Sequence, residues 1–395
     1  MAKRKILFII STLTGGGAER ALCNITCALP EEVYADILVN YETEEDYAHK
    51  GHVISLGMPK RKNYSLLYQF LAAVKRYSCL RKLKAKGGYD ACISFMDSAN
   101  IANVLSGKKH CRVILSERIN LSGCTSFGYR HVVFPLAKLL YKKADYMVSL
   151  SKGVEEDLIR NFKLPKEKAV TIYNGYDLEA IQKSAQQSSA VPIDKDNFYF
   201  ISVGRLCEQK GQWHLIRAFS EVVKKHPESR LVLCGKGPYL EKLQQMVQEY
   251  GICDKVIFAG FQKNPFAIAA KCNVFVFPSL YEGFGNVMIE NMACGLPVIA
   301  TDFRSGAREI LAPDTDYNKE QLTDIEYAQY GILVPVCKTA IDAAIEQIDQ
   351  EEVILAKAMN RLIEDQNLYN HYRQQSRKRA ADFSIKNTVE QWLGL

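Results

Sequence analysis

Short runs rich in β-branched and aromatic residues recur along the chain, each followed by a longer amphipathic stretch. The first six are KILFIIS (5–11), YADILVN (34–40), YDACISF (89–95), RVILS (112–116), DYMVSL (145–150) and AVTIYN (169–174). Such runs, bounded by polar or glycine-bearing turns, read as buried strands, and the stretches between them read as covering helices. The alternation predicts a parallel sheet with helices on both faces. After YNGYD (173–177) the chain turns polar and rich in Ser, Gln and Ala, with no buried periodicity until Phe198. That stretch reads as a linker. The alternation then restarts with FYFISVG (198–204), SRLVLCG (229–235), KVIFAG (255–260), NVFVFPS (273–279), LPVIAT (296–301) and YGILVP (330–335). The expected fold class is therefore α/β, with two doubly wound domains at 1–178 and 198–374 and a linker at 179–197. The last ~60 residues read as helical, and the segment of about 375–395, which holds Trp392, is a candidate to cross back onto the first domain.

The totals agree with this division. At 395 residues the chain exceeds one ordinary domain of ~100–200 residues. With 48% hydrophobic and 24% charged residues, disorder is excluded as the default. Twelve cysteines are scattered with no C-x-x-C pair, and Cys92, Cys234 and Cys294 lie in apolar runs, which suggests reduced core residues of a cytosolic protein. The start imitates a signal peptide, but its apolar run is short and leads into GGGAER (15–20), so a first strand is expected. No stretch approaches the ~20 apolar residues of a membrane span. Residues 1–178 hold 27 Lys and Arg against 17 Asp and Glu, whereas the remainder holds 24 against 27. An anionic partner surface would thus meet the first half.

In open parallel sheets ligands collect at the carboxyl ends of strands, so the loops after strands carry the candidate chemistry. GGGAER follows the first strand and opens a helix, where glycine amides can approach an anion; a tight turn is the alternative. It lacks the third glycine of G-x-G-x-x-G, since Arg20 stands there, and this disfavours a dinucleotide oxidoreductase. GRLCEQKG (204–211) puts Gly204, Arg205 and Lys210 on one loop, where two cations can neutralise a diphosphate leaving group; a solvated surface pair is the alternative. CGKGP (234–238) is a glycine turn that allows close backbone approach.

The most specific segment is PSLYEGFGNVMIENMACGLPVIAT (278–301). Glu282 lies in its loop and Glu290 about one turn into a helix beginning near Asn286, with seven residues between the glutamates. Gly283, Phe284 and Gly285 expose amides at a helix N-terminus suited to diphosphate and sugar oxygens.

With GRLCEQKG and GGGAER, this segment resembles the retaining GT-B glycosyltransferases of the group 1 type, which carry two glutamates at this spacing. The resemblance spans nearly the whole chain and is closest to bacterial members that build polysaccharide or lipid-linked oligosaccharide. It implies two Rossmann-like domains facing a central cleft, with a UDP-sugar donor on the second. Arg205 and Lys210 would meet the diphosphate, Glu290 and neighbouring Asn286 the nucleotide end, Glu282 a sugar hydroxyl, and the loop of Phe261 and Gln262 the base. Gly15, Gly16 and Gly17 would approach the donor phosphate from the acceptor-binding domain. Neither metal, cofactor nor nucleic acid is implied. Retention is explained in this family by same-face attack, a phosphate oxygen of the departing nucleotide taking the acceptor proton. Where many members have a histidine, ILSERIN (114–120) offers Glu117 and Arg118, either as acceptor-side residues or as a structural ion pair.

Between Lys60 and Lys86 there are nine Lys and Arg and no acid, with Leu66, Leu67, Phe70, Leu71, Val74 and Tyr77 at roughly helical spacing. Such a helix can lie on anionic lipid or pack its apolar stripe on the sheet with its basic face wet, and the two are not exclusive. The resemblance and the basic first half together suggest transfer of a hexose or N-acetylhexosamine to a polyprenyl-diphosphate-linked saccharide, by a peripheral protein at the cytoplasmic membrane face. The competing readings are a nucleotide-sugar 2-epimerase of related fold and a non-catalytic nucleotide-sugar or lipid-surface binding protein.

Overall fold

The computed structural model describes residues 4–60, 66–119, 121–123, 129–189, 191–317, 321–342 and 348–395. The chain forms two compact units, one of residues 1–176 with 385–395 and one of residues 177–384.

Unit 1 is built on seven strands: β1 (Arg4–Ile9), β2 (Val33–Val39), β3 (His52–Ser55), β4 (Ala91–Phe95), β5 (Arg112–Glu117), β6 (Tyr146–Ser149) and β7 (Ala169–Thr171). They lie in the order β3-β2-β1-β4-β5-β6-β7, all parallel. Successive residues of β1 go to opposite faces: Ile6 and Phe8 join one core with Ile37, Val39, Ile93 and Phe95, while Leu7 and Ile9 join another with Leu38, Cys92 and Leu80. Both faces are covered, which is why the strands read as continuous apolar runs.

Unit 2 repeats the plan with β8 (Phe198–Val203), β9 (Ser229–Cys234), β10 (Val256–Gly260), β11 (Val274–Phe277), β12 (Val298–Thr301), β13 (Glu326–Tyr327) and β14 (Ile332–Val334). Their order is β10-β9-β8-β11-β12-β14-β13, parallel except for β13 against β14. Two strands escaped the sequence pattern, β3 and β13. Both are short edge strands without a buried run, so no apolar alternation marks them.

The polar stretch after Tyr176 carries a helix, Leu178–Ala185, whose N-cap Asp177 accepts from the Ala180 amide at 2.9 Å. Asn264 Nδ2 donates to the Ser184 carbonyl at 2.9 Å, fixing this helix within unit 2. Ala190 of the expected linker lies outside the described residues. At the other end, the helix Gln366–Asp382 belongs to unit 2 and only the helix Ile385–Gly394 joins unit 1. There Trp392 is 2% exposed and stacks on Phe95 with centroids 5.6 Å apart. Of the three cysteines assigned to the core, Cys92 and Cys234 are buried and Cys294 is half-buried.

A buried charge network holds the helix that follows β8. His214 Nδ1 and Glu352 Oε1 lie 2.7 Å apart, both fully buried, with Arg217 Nε at 3.9 Å from the same oxygen. The other oxygen of Glu352 accepts from the Asp349 amide at 3.0 Å and closes a capping box on the helix Gln350–Glu364. One carboxylate thus joins two helices behind the sheet.

Trp392→Ala should destabilise unit 1 by about 3–5 kcal/mol, because the void opens within a core formed by β1, β2 and β4. Urea unfolding followed by fluorescence and far-UV circular dichroism is the measurement.

Candidate active site

In both sheets the winding reverses beside the first strand, and loops at that reversal leave a crevice at the strand carboxyl ends. In unit 2 the reversal lies between β8 and β11, so the loops 204–211 and 278–285 flank it. They are bonded to one another: the Leu280 amide donates to the Gln209 carbonyl at 2.9 Å, and Gln209 Nε2 to the Tyr281 carbonyl at 2.9 Å. Gly211 has φ +60°, and a Cβ there would fall on the Pro278 carbonyl oxygen. The glycine turn after β9 supports the first loop, for a Cβ on Gly235 or Gly237 would strike the Gly204 or Leu206 carbonyl.

Two sequence-predicted residues meet directly here. Lys210 Nζ forms an ion pair with Glu282 Oε1, and Ser279 Oγ donates to the same oxygen at 3.0 Å. Both charged side chains are largely buried, at 18% and 11% exposure, so their attraction is less screened than that of a surface pair. The Lys210 stem packs over Gly204, with Cδ and Cε 3.6 Å from where a Cβ would stand, and its ammonium lies 5.1 Å from the Phe277 ring centre. Arg205 is exposed on the same loop. Ser279 is fixed by Thr301 Oγ1, which donates to its carbonyl at 2.5 Å. Neither Ser279 nor Thr301 stood out in the sequence, because nothing local marks a hydroxyl as a support.

Gly285, with φ +96°, is the N-cap of the helix Asn286–Ala293, and no side chain caps that terminus. Its backbone shape demands glycine, and a Cβ would also meet Met288 Cε at 2.7 Å. Phe284 is buried and packs edge-on against Phe383, with centroids 5.9 Å apart. A Cβ on Gly306 would fall on the Phe284 carbonyl, so the loop after β12 backs this turn. Gly283 is half-buried, as are Asn286 and Glu290 on the helix. After β10, Phe261 presents a ring that is 65% exposed, with Lys236 Nζ 5.3 Å from its centre, and Gln262 Nε2 folds onto the Ala259 carbonyl. Lys236, from the CGKGP turn, was not singled out in the sequence.

The corresponding reversal in unit 1 lies between β1 and β4. Gly15 has φ +95°, Gly16 is the N-cap and Gly17 the first residue of the helix Gly17–Cys27. The Glu19 carboxylate folds back over Gly16, and burial raises its proton affinity against the lowering effect of its own amide. After β4, Met96 adopts φ +72°, uncommon for a side chain with a Cβ.

Glu117 and Arg118 do not pair as side chains; each has its own buried setting. Glu117 is fully buried, with Tyr141 OH 3.4 Å from Oε2 and the Arg118 amide 3.1 Å from Oε1. Tyr141 also donates to Asp97 Oδ1 at 3.0 Å, so one phenol serves two carboxylates. Burial first, and then the Asp97 charge, push the Glu117 carboxyl well above the usual carboxylate range. The Arg118 guanidinium donates to Asn174 Oδ1 at 2.9 Å and stands over the rings of Phe95 and Trp392, at 4.9 and 5.8 Å. Burial lowers its proton affinity to about 10.

The basic helix, Leu66–Lys86, packs inward through Tyr68, Ala72 and Leu80, whereas part of the predicted stripe lies on the other side. Phe70, Leu71 and Val74 face outward, at 64%, 49% and 46% exposure, while Arg76 and Lys84 are buried. Arg76 donates to Ser98 Oγ at 2.9 Å, Ser11 Oγ at 3.1 Å and Asn40 Oδ1 at 2.8 Å, and Lys84 to the carbonyls of Asn103 and Gly107 at 2.7 Å each. Residues 61–65 of the segment lie outside the described residues. Among the described residues no helix is long and apolar enough to cross a membrane.

Residues 183–379 match the family model of glycosyl transferases group 1, and residues 15–180 match that of glycosyltransferase family 4. An uncharacterized glycosyltransferase of Methanocaldococcus jannaschii is 32% identical over 348 residues, 84% of this chain and 85% of its own. A Campylobacter jejuni protein, named as an N-acetylgalactosamine-N,N'-diacetylbacillosaminyl-diphospho-undecaprenol 4-alpha-N-acetylgalactosaminyltransferase, is 30% identical over 396 residues, 96% of each chain. The chain belongs to the glycosyltransferase group 1 family. Its fold is GT-B: the Anabaena protein HepE in complex with UDP superposes with a TM-score of 0.73, at 21% identity over 99% of this chain and 98% of that one. Sucrose-phosphate synthase from Thermosynechococcus elongatus superposes with 0.71, at 20% identity over 99% and 98%.

The setting of Glu117 has a measurable consequence. A carboxyl whose folded-state proton affinity is raised holds its proton in the native chain over a window that opens at the unfolded value, near 4.5. Stability is therefore complete below that pH and falls as pH rises through the window. Glu117→Gln, which is neutral throughout, should lose less stability than the parent between pH 5 and pH 8, as read from urea midpoints.

Proposed function

We propose that the protein is a retaining glycosyltransferase that moves a hexose or N-acetylhexosamine from a UDP-sugar onto a polyprenyl-diphosphate-linked saccharide. The observation that carries this reading is the meeting of Lys210 and Glu282 on bonded loops at the unit 2 reversal, beside an uncapped helix N-terminus. Glycosyl transfer is limited by negative charge growing on the departing diphosphate. Lys210, Arg205 and the amides after Gly285 supply positive charge there without a metal. Glu282 holds Lys210 in place before the donor arrives and then accepts a hydrogen bond from a sugar hydroxyl. Glu290 and Asn286 bind the ribose end, and the exposed ring of Phe261 carries the uracil, with Gln262 beside it. Gly283 and Phe284 offer backbone groups to the sugar. Attack on the same face, with a diphosphate oxygen taking the acceptor proton, needs no side-chain nucleophile.

The acceptor class rests on relatives. Besides the Campylobacter protein above, a second from the same organism, 26% identical over 397 residues, is named as an N-acetylgalactosaminyltransferase of a PP-undecaprenol-linked substrate. Unit 1 is assigned the acceptor and the anionic membrane surface. Its basic helix exposes Phe70, Leu71 and Val74 among Lys75, Arg81 and Lys82. The segment Tyr129–Leu140 adds exposed Val132, Leu136 and Leu139 at helical spacing beside Arg130 and Lys138. Apolar side chains within a cationic field suit an anionic bilayer face, here the cytoplasmic one.

Lys210→Ala should lower kcat by about a hundredfold in an acceptor-dependent UDP-release assay, since one charge donor to the leaving group is removed. Glu290→Ala should instead raise the donor KM by about tenfold with a smaller change in kcat. Unchanged kinetics in both variants would contradict the site.

The protein should co-sediment with anionic liposomes at low salt. A Phe70→Ser, Val74→Ser double variant should bind at least about tenfold more weakly, from two lost apolar insertions. No binding by the parent chain would remove the membrane from the proposal.

A further inference from the structure

The opposite edge of the unit 1 sheet, at the amino ends of its strands, holds a cluster that glycosyl transfer does not use. Cys92, in β4, and Cys111, immediately before β5, bring their Sγ atoms to 3.3 Å in a thiol–thiol hydrogen bond. Both are buried, Cys92 fully and Cys111 at 9% exposure, and Cys111 borders an open cavity of about 610 Å³. The remaining lining is Lys108, Arg112, Asp145, Tyr146 and Lys168, three cations against one acid. Lys108 pairs with Asp145 at 3.0 Å, and Lys168 is held by the carbonyls of Lys142 and Ala144 at 2.9 and 2.8 Å. Behind the two sulfurs, Lys84 is anchored by its two carbonyl contacts from the Asn103–Gly107 turn.

These neighbours separate the two thiols. The hydrogen bond with Cys92 first, and then the Lys84 charge, bring the Cys111 thiol below the ordinary thiol range, against the opposing effects of burial and Asp145. The bond to Cys111 and burial push the Cys92 thiol far up. Cys111, at the cavity edge, is therefore the sulfur that favours the thiolate, and Cys92 is the protonated partner in contact with it.

We propose that Cys111 and Cys92 form a two-thiol exchange site that accepts a small anionic disulfide of the glutathione disulfide class and ends as an internal Cys92–Cys111 disulfide. The Cys111 thiolate attacks one sulfur of the bound disulfide, forming a mixed disulfide and expelling the first small thiolate, which takes a proton. Cys92 then loses its proton to solvent and attacks Cys111 Sγ, expelling the second small thiolate. Two protein thiols and one small disulfide become one protein disulfide and two small thiols. The sulfurs need only close from 3.3 Å to a bond of about 2.05 Å. The cations of the cavity select the anionic reagent.

The test treats the full chain with glutathione disulfide at pH 7 and reads intact mass and peptide maps without reduction. The parent chain should yield the Cys92–Cys111 linked peptide. Cys92→Ser should stop at a glutathione adduct on Cys111, and Cys111→Ser should give neither product. Glutathione disulfide should react at least about tenfold faster than uncharged hydroxyethyl disulfide at low salt, with the ratio shrinking at high salt. Equal rates would remove the anionic selectivity. Glutathione found only on the exposed Cys27 or Cys253 would overturn the site. A measurement on the parent chain avoids any folding defect of the variants: iodoacetamide labelling of Cys111, mapped by peptide, should be half-maximal clearly below the ordinary thiol value. Labelling that rises only near the ordinary thiol value of 9.0 would also overturn the site.

Discussion

The architecture of the candidate site in unit 2 depends on how closely main chains approach one another where its sheet ends. At Gly211, Gly235, Gly237 and Gly306 a single added carbon would collide with the backbone of a neighbouring loop. Four loops can nest at the strand ends only because these positions carry no side chain. The nesting fixes the height of the 204–211 loop against the 278–285 loop, which puts Lys210 within reach of Glu282. Electrostatics then acts on a geometry that sterics has already set.

Charges elsewhere divide into those exposed to solvent or substrate and those that hold the scaffold. Glu352, with His214 and Arg217, locks the helix after β8 against the Gln350–Glu364 helix. Arg76 and Lys84 play a comparable part in unit 1, tying the basic helix to strand ends and to the end of the Asp97–Leu105 helix. Lys84 reaches carbonyls at a helix C-terminus, where the macrodipole is negative, and this offsets part of the desolvation of its ammonium. These cations share the buried face of the helix with Tyr68, Ala72 and Leu80, and Phe70, Leu71 and Val74 lie outside it.

Much of the fold was legible in sequence because central parallel strands are buried on both faces and carry continuous apolar runs. The 3.6-residue period of the basic helix was legible too, but its facing was not. That depends on Ser11, Asn40 and Ser98, which only the folded sheet brings to Arg76. Lys210, Glu282 and the glycine turns stood out through local composition, whereas the ion pair joins residues 72 positions apart. Likewise Glu117 gave no sign of sharing a phenol with Asp97, because Tyr141 arrives from a later helical segment.

The exchange of the last helix between units bears on how the chain acquires its structure. Residues 385–395, which bring Val389 and Trp392 into the core of β1, β2 and β4, leave the ribosome after all of unit 2. The earlier-made unit therefore waits with an open apolar face while the later-made one, continuous from Asp177 to Ser384, has every residue it needs. Order of synthesis and order of completion are reversed.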